Sequence, residues 1–173
     1  MKFPGFLGNE PLKEQLSALI AQDRIPQAIV LEGETGCGKR TLARLIAAAL
    51  CCQSTDEKPC GRCSDCQKSL GGGHPDITTV SGGDSPRSFK IETVREMRAD
   101  VSIRPNEADR KVYILENVQN MVTEFLPSTT VTRRVRAATA NTDAAHTADR
   151  RIATRTRTRR RLLSFVLAWS QAR

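Results

Sequence analysis

Gly33-Glu34-Thr35-Gly36-Cys37-Gly38-Lys39 is the stretch that decides the fold, because of what stands on either side of it. Before it runs Ala28-Ile29-Val30-Leu31, short, apolar and partly β-branched, which reads as a buried parallel strand ending at glycines. After it, Thr41 to Cys52 is rich in Leu and Ala and reads as a helix. Strand, glycine loop and helix in that order form the setting in which G-x-x-x-x-G-K cradles phosphate. The glycines let backbone N–H groups point inward at phosphate oxygens. The helix N-terminus adds its positive end, and Lys39 places a point charge near the β and γ phosphates. Gly33, Glu34, Thr35, Gly36, Cys37, Gly38 and Lys39 are therefore candidate nucleotide-binding residues, and ATP is the candidate ligand.

The motif departs from its usual form one residue later. A Ser or Thr hydroxyl normally follows the lysine and binds Mg²⁺, but Arg40 stands there and the threonine comes at Thr41. A cation repels the metal, and one residue of helix turns a side chain by about 100°, so Thr41 is a poor substitute. Further on, Lys111-Val112-Tyr113-Ile114-Leu115 reads as a strand ending in Glu116-Asn117. Glu116 is a carboxylate able to hold magnesium through water, whereas an Asn117 amide is no general base. Arg40, Thr41 and Glu116 complete the candidate nucleotide site. Binding without efficient hydrolysis in cis is the expectation, with no catalytic residue assigned.

Cys60-x-x-Cys63-x-x-Cys66, preceded by Cys51 and Cys52, is the second chemical feature. Two-residue spacers let neighbouring thiolates turn onto one tetrahedral ion, and four sulfurs leave no open position, so the expected metal is a structural zinc. Either Cys51 or Cys52 can supply the fourth sulfur. Cys37 belongs to the phosphate loop, and His74-Pro75-Asp76 reads as the lead-in to a strand.

Working outward, Asn9 to Gln22 sets Leu12, Leu16, Leu19 and Ile20 at helical spacing, with Asn9 as cap and Pro11 in the first turn. Asp76 to Val80 reads as a strand, Ser81 to Pro86 as a turn, and Glu92 to Val101 as a helix. Alternating strands and helices predict an α/β sheet with helices on both faces.

The net charge of +8 is unevenly placed. Through residue 121, seven lysines and nine arginines balance sixteen acidic residues; beyond it, eleven arginines face three acidic residues and lysine disappears. The excess thus says nothing about the folded domain. Ala, Arg and Thr supply 30 of the last 52 residues, and only Arg161 to Trp169 has appreciable apolar density. No apolar run approaches the roughly 20 residues of a membrane span, and Met1 to Gly5 lacks a signal-peptide core. A cytoplasmic protein with no membrane partner is expected.

A phosphate-loop helix running into C-x(7 or 8)-C-x-x-C-x-x-C and then His74-Pro75-Asp76 resembles the bacterial DNA polymerase III clamp-loader subunits of the AAA+ class, over Phe3 to about Met121. Phe6-Leu7-Gly8-Asn9 is similar to that family's box near the adenine pocket, and Arg24 to Ala28, Lys90 to Met97 and Lys111 to Asn117 resemble other family blocks. The resemblance implies an AAA+ parallel sheet with flanking helices and an inserted zinc module at about 51–66. It also selects Cys52, with Cys60, Cys63 and Cys66, as the metal ligands. Degeneracy at Arg40 and Glu116-Asn117 is similar to the delta-prime subunit rather than the gamma/tau ATPase. The implied partners are the other loader subunits, gamma/tau and delta, and through them the sliding clamp and primed DNA. Past about residue 121 the family's Leu-Leu-Lys block, sensor strand, arginine finger and collar are missing. Residues 1–121 are thus expected to form an incomplete domain and 122–173 a basic, disordered tail. An out-of-frame or truncated continuation explains the abrupt change better than a DNA-binding arm. An active gamma/tau-type ATPase and a zinc-containing nucleic-acid binding module are the competing readings.

Overall fold

The computed structural model describes residues 1–81, 91–118, 132–136 and 163–171. Asn9 opens helix α1 (Glu10–Ala21): its side chain accepts a hydrogen bond from the Leu12 N–H at 3.3 Å, and its left-handed backbone (φ 52°) is one that Asn tolerates. Strand β1 (Ala28–Gly33) leads through the glycine loop to α2 (Lys39–Cys51). A further helix, α3 (Ser64–Gly71), lies in the cysteine-rich stretch, where no helix is expected from the sequence. β2 (Ile77–Ser81), α4 (Ile91–Val101) and β3 (Arg110–Glu116) follow. The expected turn at Ser81 to Pro86 falls, after Ser81, outside the described residues.

The α/β expectation holds, and strand periodicity shows how. Ile29 and Leu31 of β1 and Val112 and Ile114 of β3 are buried in one cluster with Leu42, Leu45 and Ile46 of α2 and Leu12 and Leu16 of α1. Alternation sends Lys111 and Tyr113 to the opposite face, where both meet α4. Lys111 Nζ and the Tyr113 hydroxyl each donate to the Asp100 carboxylate at 2.7 Å. These two bonds hold the Asp100 carboxyl below the usual carboxylate range, Lys111 contributing most. Helices thus cover both faces, and β3 is buried along nearly its whole length.

Two strands come from the segment beyond residue 121: β4 (Thr132–Arg136) and β5 (Leu163–Gln171). The sheet order is β2-β3-β5-β1-β4, with β2 parallel to β3, β4 parallel to β1, and β5 antiparallel to both β1 and β3. Leu167 is in register with Ile29 on one side and with Ile114 on the other. An antiparallel strand in such a sheet more commonly takes an edge; here it is central. A physical reason is that β1 and β3 carry backbone donors and acceptors on their facing edges that must be paired when buried. Residues 163–169 of β5 lie in the one apolar-dense stretch of that region, Arg161 to Trp169. The rest of the expected disordered tail lies outside the described residues.

A chain ending at Met121 would leave β1 without either strand neighbour. Such a chain is expected to show no cooperative urea transition, whereas the full chain shows one; a sigmoidal transition of equal steepness in the short form would mean that β4 and β5 contribute nothing to the sheet.

Candidate functional site

The phosphate loop is shaped by glycines at positive φ, Gly36 at 87° and Gly38 at 80°. Gly38 has a second constraint, because a Cβ there would lie 3.1 Å from the Phe6 ring. Of the Phe6 to Asn9 box, Phe6 therefore packs on the loop and Asn9 caps α1, while Leu7 is exposed. Lys39 is buried, and its ammonium donates to the carbonyls of Gly33 at 2.9 Å and Glu34 at 2.5 Å, with Cys37 Sγ at 3.4 Å. Glu34, Thr35 and Gly36 are exposed at the tip of the loop.

Arg40 and Glu116 meet across 76 residues of sequence. Arg40 Nε donates to Glu116 Oε1 at 2.7 Å and Nη2 to Oε2 at 2.5 Å, a two-pronged fork that engages both carboxylate oxygens. The Glu116 side chain is 5% exposed and that of Arg40 60%. Hydrogen bonding to Glu116, and then its charge, raises the Arg40 pKa further. Thr41 is exposed on the helix surface. Asn117, just past β3, takes the left-handed backbone (φ 57°). The residues that should surround Mg²⁺ are thus a guanidinium where a hydroxyl is required and a carboxylate already bound to that guanidinium. They do not fit the ion.

Cys52, Cys60, Cys63 and Cys66 bring their sulfurs within 4.8 Å of one another, with Cys60 Sγ and Cys66 Sγ 3.9 Å apart. Tetrahedral coordination at a metal–sulfur distance near 2.3 Å requires sulfur pairs about 3.8 Å apart, so the donor set fits such an ion. Backbone N–H groups brace it: those of Cys60, Cys63 and Cys66 donate to the sulfurs of Cys52, Cys60 and Cys63, each at 3.4 Å. Cys63 is thereby the N-cap of α3, which is why the C-x-x-C spacing also starts a helix. The N–H groups of Cys63 and Arg62 pull the Cys60 thiol down to about 6, while burial pushes Cys66 up. Cys51 points instead into the core, where burial and then the Asp76 and Asp65 charges push it up to about 12. Cys37 stays in the phosphate loop.

His74-Pro75-Asp76 does more than lead into β2. His74 Nδ1 accepts the Asp76 N–H at 3.0 Å, so in the neutral ring Nε2 carries the hydrogen, and it faces Asp65 Oδ1 of α3 at 3.7 Å. His74, Asp65 and Glu107 lie close enough to suggest a second metal site. With Nδ1 accepting the Asp76 N–H, however, Nε2 has no lone pair free for a metal in that tautomer. At 3.7 Å its approach to Asp65 is too long for a hydrogen bond, and His74 Nε2 and Asp65 Oδ2 are buried without a hydrogen-bond partner among the described residues. The Asp76 carboxylate accepts from the N–H groups of Asn106, Glu107 and Ala108 at 2.6 to 2.9 Å. Burial works to raise its pKa, but these three bonds outweigh burial and hold it below the usual range. Only the side-chain types of His74 and Asp76 signalled these roles in the sequence.

Fold and loop together define the class: a P-loop domain of the AAA+ type. Residues 8–125 match the family profile described as DNA polymerase III, delta subunit, and the chain belongs to this family of clamp-loader subunits. It is 30% identical over 125 residues to DNA polymerase III subunit gamma/tau of Mycoplasma genitalium, covering 72% of this chain and 20% of that protein. It is likewise 30% identical over 103 residues to DNA polymerase III subunit delta' of Bacillus subtilis, covering 59% of this chain and 30% of that protein. The subunit tau of the same organism is 25% identical over 118 residues, covering 68% of this chain and 20% of that protein. The chain thus spans about a fifth to a third of the length of these relatives. Among the described residues no helix is long and apolar enough to cross a membrane.

Replacing Asp76 by Asn would leave backbone donors poorly paired. A loss of about 3 kcal/mol is expected in urea unfolding at pH 7. Because the folded pKa is depressed, the carboxylate's contribution is complete above the unfolded value near 4 and is lost as pH falls through the folded value. The gap between wild type and Asp76→Asn should therefore narrow in acid; a gap constant from pH 7 to pH 2.5 would show that charge has no part in it.

Proposed function

We propose that this chain is a delta-prime-like clamp-loader subunit that does not hydrolyse ATP, and that residues 1–121 form the first part of its P-loop domain. The observation that carries the reading is the Arg40 fork on Glu116. It removes, with one side chain, both the hydroxyl that would bind magnesium and the carboxylate that would support it. Asn117 leaves no adjacent general base in the place where an active enzyme needs one. The four-cysteine cluster is proposed to hold a structural zinc through Cys52, Cys60, Cys63 and Cys66, which would fix α3 against the end of α2.

On this reading the partners are the gamma/tau and delta subunits, and the sliding clamp and primed DNA are reached through the assembly. The end of the family match at residue 125 lies close to the change in composition after 121, although β4 and β5 from beyond it complete the same sheet. The basic segment beyond it is proposed not to be the family's continuation.

Steady-state phosphate release with ATP and Mg²⁺ tests the reading. The purified chain should give no turnover above a Lys39→Ala control; robust turnover abolished by Lys39→Ala would overturn the reading in favour of a gamma/tau-type ATPase. Capture of purified gamma/tau and delta subunits on the immobilised chain tests the assembly role.

Zinc released by a thiol-modifying reagent and counted with a chromogenic chelator should come to about one equivalent per chain. Cys51→Ala should keep that equivalent and Cys52→Ala should lose most of it; the reverse pattern would assign the fourth ligand to Cys51.

A further inference from the structure

We propose that the phosphate loop of this chain takes nucleoside di- or triphosphate without magnesium, Arg40 supplying to Glu116 the positive charge that a divalent cation would otherwise bring. The inference rests on the non-hydrolysing reading and extends it from what the loop does not do to what it binds. Its basis is the misfit between the residues present and the metal that such loops ordinarily use.

Three observations carry it. Both oxygens of Glu116 are engaged by one guanidinium, at 2.7 and 2.5 Å, in a site where the carboxylate is 5% exposed. A metal entering there must displace Arg40 from Glu116 and then lies beside the released guanidinium. The hydroxyl that would complete the metal's coordination is absent at position 40, and Thr41 is on the exposed surface, turned by about 100° along the helix. The phosphate cradle itself is retained. Gly36 and Gly38 keep the positive φ that turns the loop around the helix N-terminus, and the Lys39 ammonium is held at the loop by the carbonyls of Gly33 and Glu34.

Lys39 and Arg40 are balanced by Glu116 and by Glu34 of the loop itself, so the attraction for a polyphosphate comes from the directed loop N–H groups and the Lys39 ammonium rather than from net charge. Of the five guanidinium donors, the fork uses two, so Arg40 can hold Glu116 and still offer N–H groups toward a phosphate from its partly exposed side. On this account Arg40 determines metal specificity.

Calorimetric titration of the full chain with ADP and with ATP, in EDTA and again in excess Mg²⁺, tests the inference. Wild type should bind with affinities that agree within about twofold between the two buffers, while Arg40→Thr, which restores the hydroxyl and frees Glu116, should bind about tenfold more tightly in Mg²⁺ than in EDTA. Arg40→Lys, which keeps the charge and loses the fork, should still bind in EDTA; circular dichroism checks that both variants fold. Wild-type affinity raised about tenfold by Mg²⁺ would overturn the inference, as would an Arg40→Thr chain indifferent to the metal. Failure to bind in either buffer would also overturn it, leaving the non-hydrolysing reading in place. Magnesium-dependent turnover would remove both.

Discussion

Burial of α2 is the constraint on which the other features depend. Nine of its thirteen residues are buried, from Lys39 through Leu42, Ala43, Leu45, Ile46, Ala47, Ala48 and Ala49 to Cys51, packed against β1, β3 and α1. Truncating a buried Leu or Ile of this kind typically costs about 2 to 5 kcal/mol, so the helix is fixed in rotation as well as position. That rotation directs Lys39 into the glycine loop, Arg40 toward the end of β3 and Thr41 to the surface. At the other end it sends Cys51 into the core and leaves Cys52, one residue later, free to turn outward to the other three thiols. A helix of thirteen residues is about 20 Å long. The phosphate loop and the cysteine cluster are therefore distant sites held in one register by a single element.

The choice between Cys51 and Cys52 shows what spacing can and cannot say. Eight or seven intervening residues are equally able to close a loop onto one ion, so the count alone leaves two candidates. What separates them is helix phase, since successive residues point about 100° apart and only one direction is compatible with the buried face of α2. That phase was available in the sequence as the Leu and Ala pattern of Thr41 to Cys52, which continues naturally through Cys51. By contrast, α3 was hidden because its N-cap is a cysteine, a residue type that does not announce a helix start, and because the segment SDCQKSLG is short and mostly polar. β5 was hidden for another reason. Its partners β1 and β3 are more than 40 residues away in sequence, and an antiparallel central strand is not what alternating strands and helices suggest.

Arg40 and Glu116 make the same point about function. Each was legible alone as a defect: a cation where a hydroxyl belongs, and an acid without its usual neighbour. Their contact was not legible, because nothing local in either segment encodes a meeting across 76 residues. The contact changes the meaning of both. A solvated guanidinium beside a metal site would merely weaken metal binding, whereas a fork onto a carboxylate that is 5% exposed gives that buried carboxylate the partner it needs. Two separate losses become one compensated substitution.

Lys39 extends that argument to the phosphate loop. A buried ammonium is costly unless its donors are used, and here they meet Gly33 O and Glu34 O within the same loop, with Cys37 Sγ nearby. The lysine therefore acts as an internal tie that keeps the loop in its cradle form before any anion arrives, assisted by the Phe6 ring packed on Gly38. An incoming phosphate does not have to build the cradle. It exchanges neutral carbonyl partners for charged oxygens around an ammonium already in place, and the gain is the difference between those two sets of bonds. In a loop whose metal position Arg40 is proposed to hold, that difference would add to what the loop N–H groups and the remaining Arg40 donors supply. The same tie explains why the loop geometry can persist in a subunit whose proposed role does not include turnover: the bonds that shape it are bonds to itself.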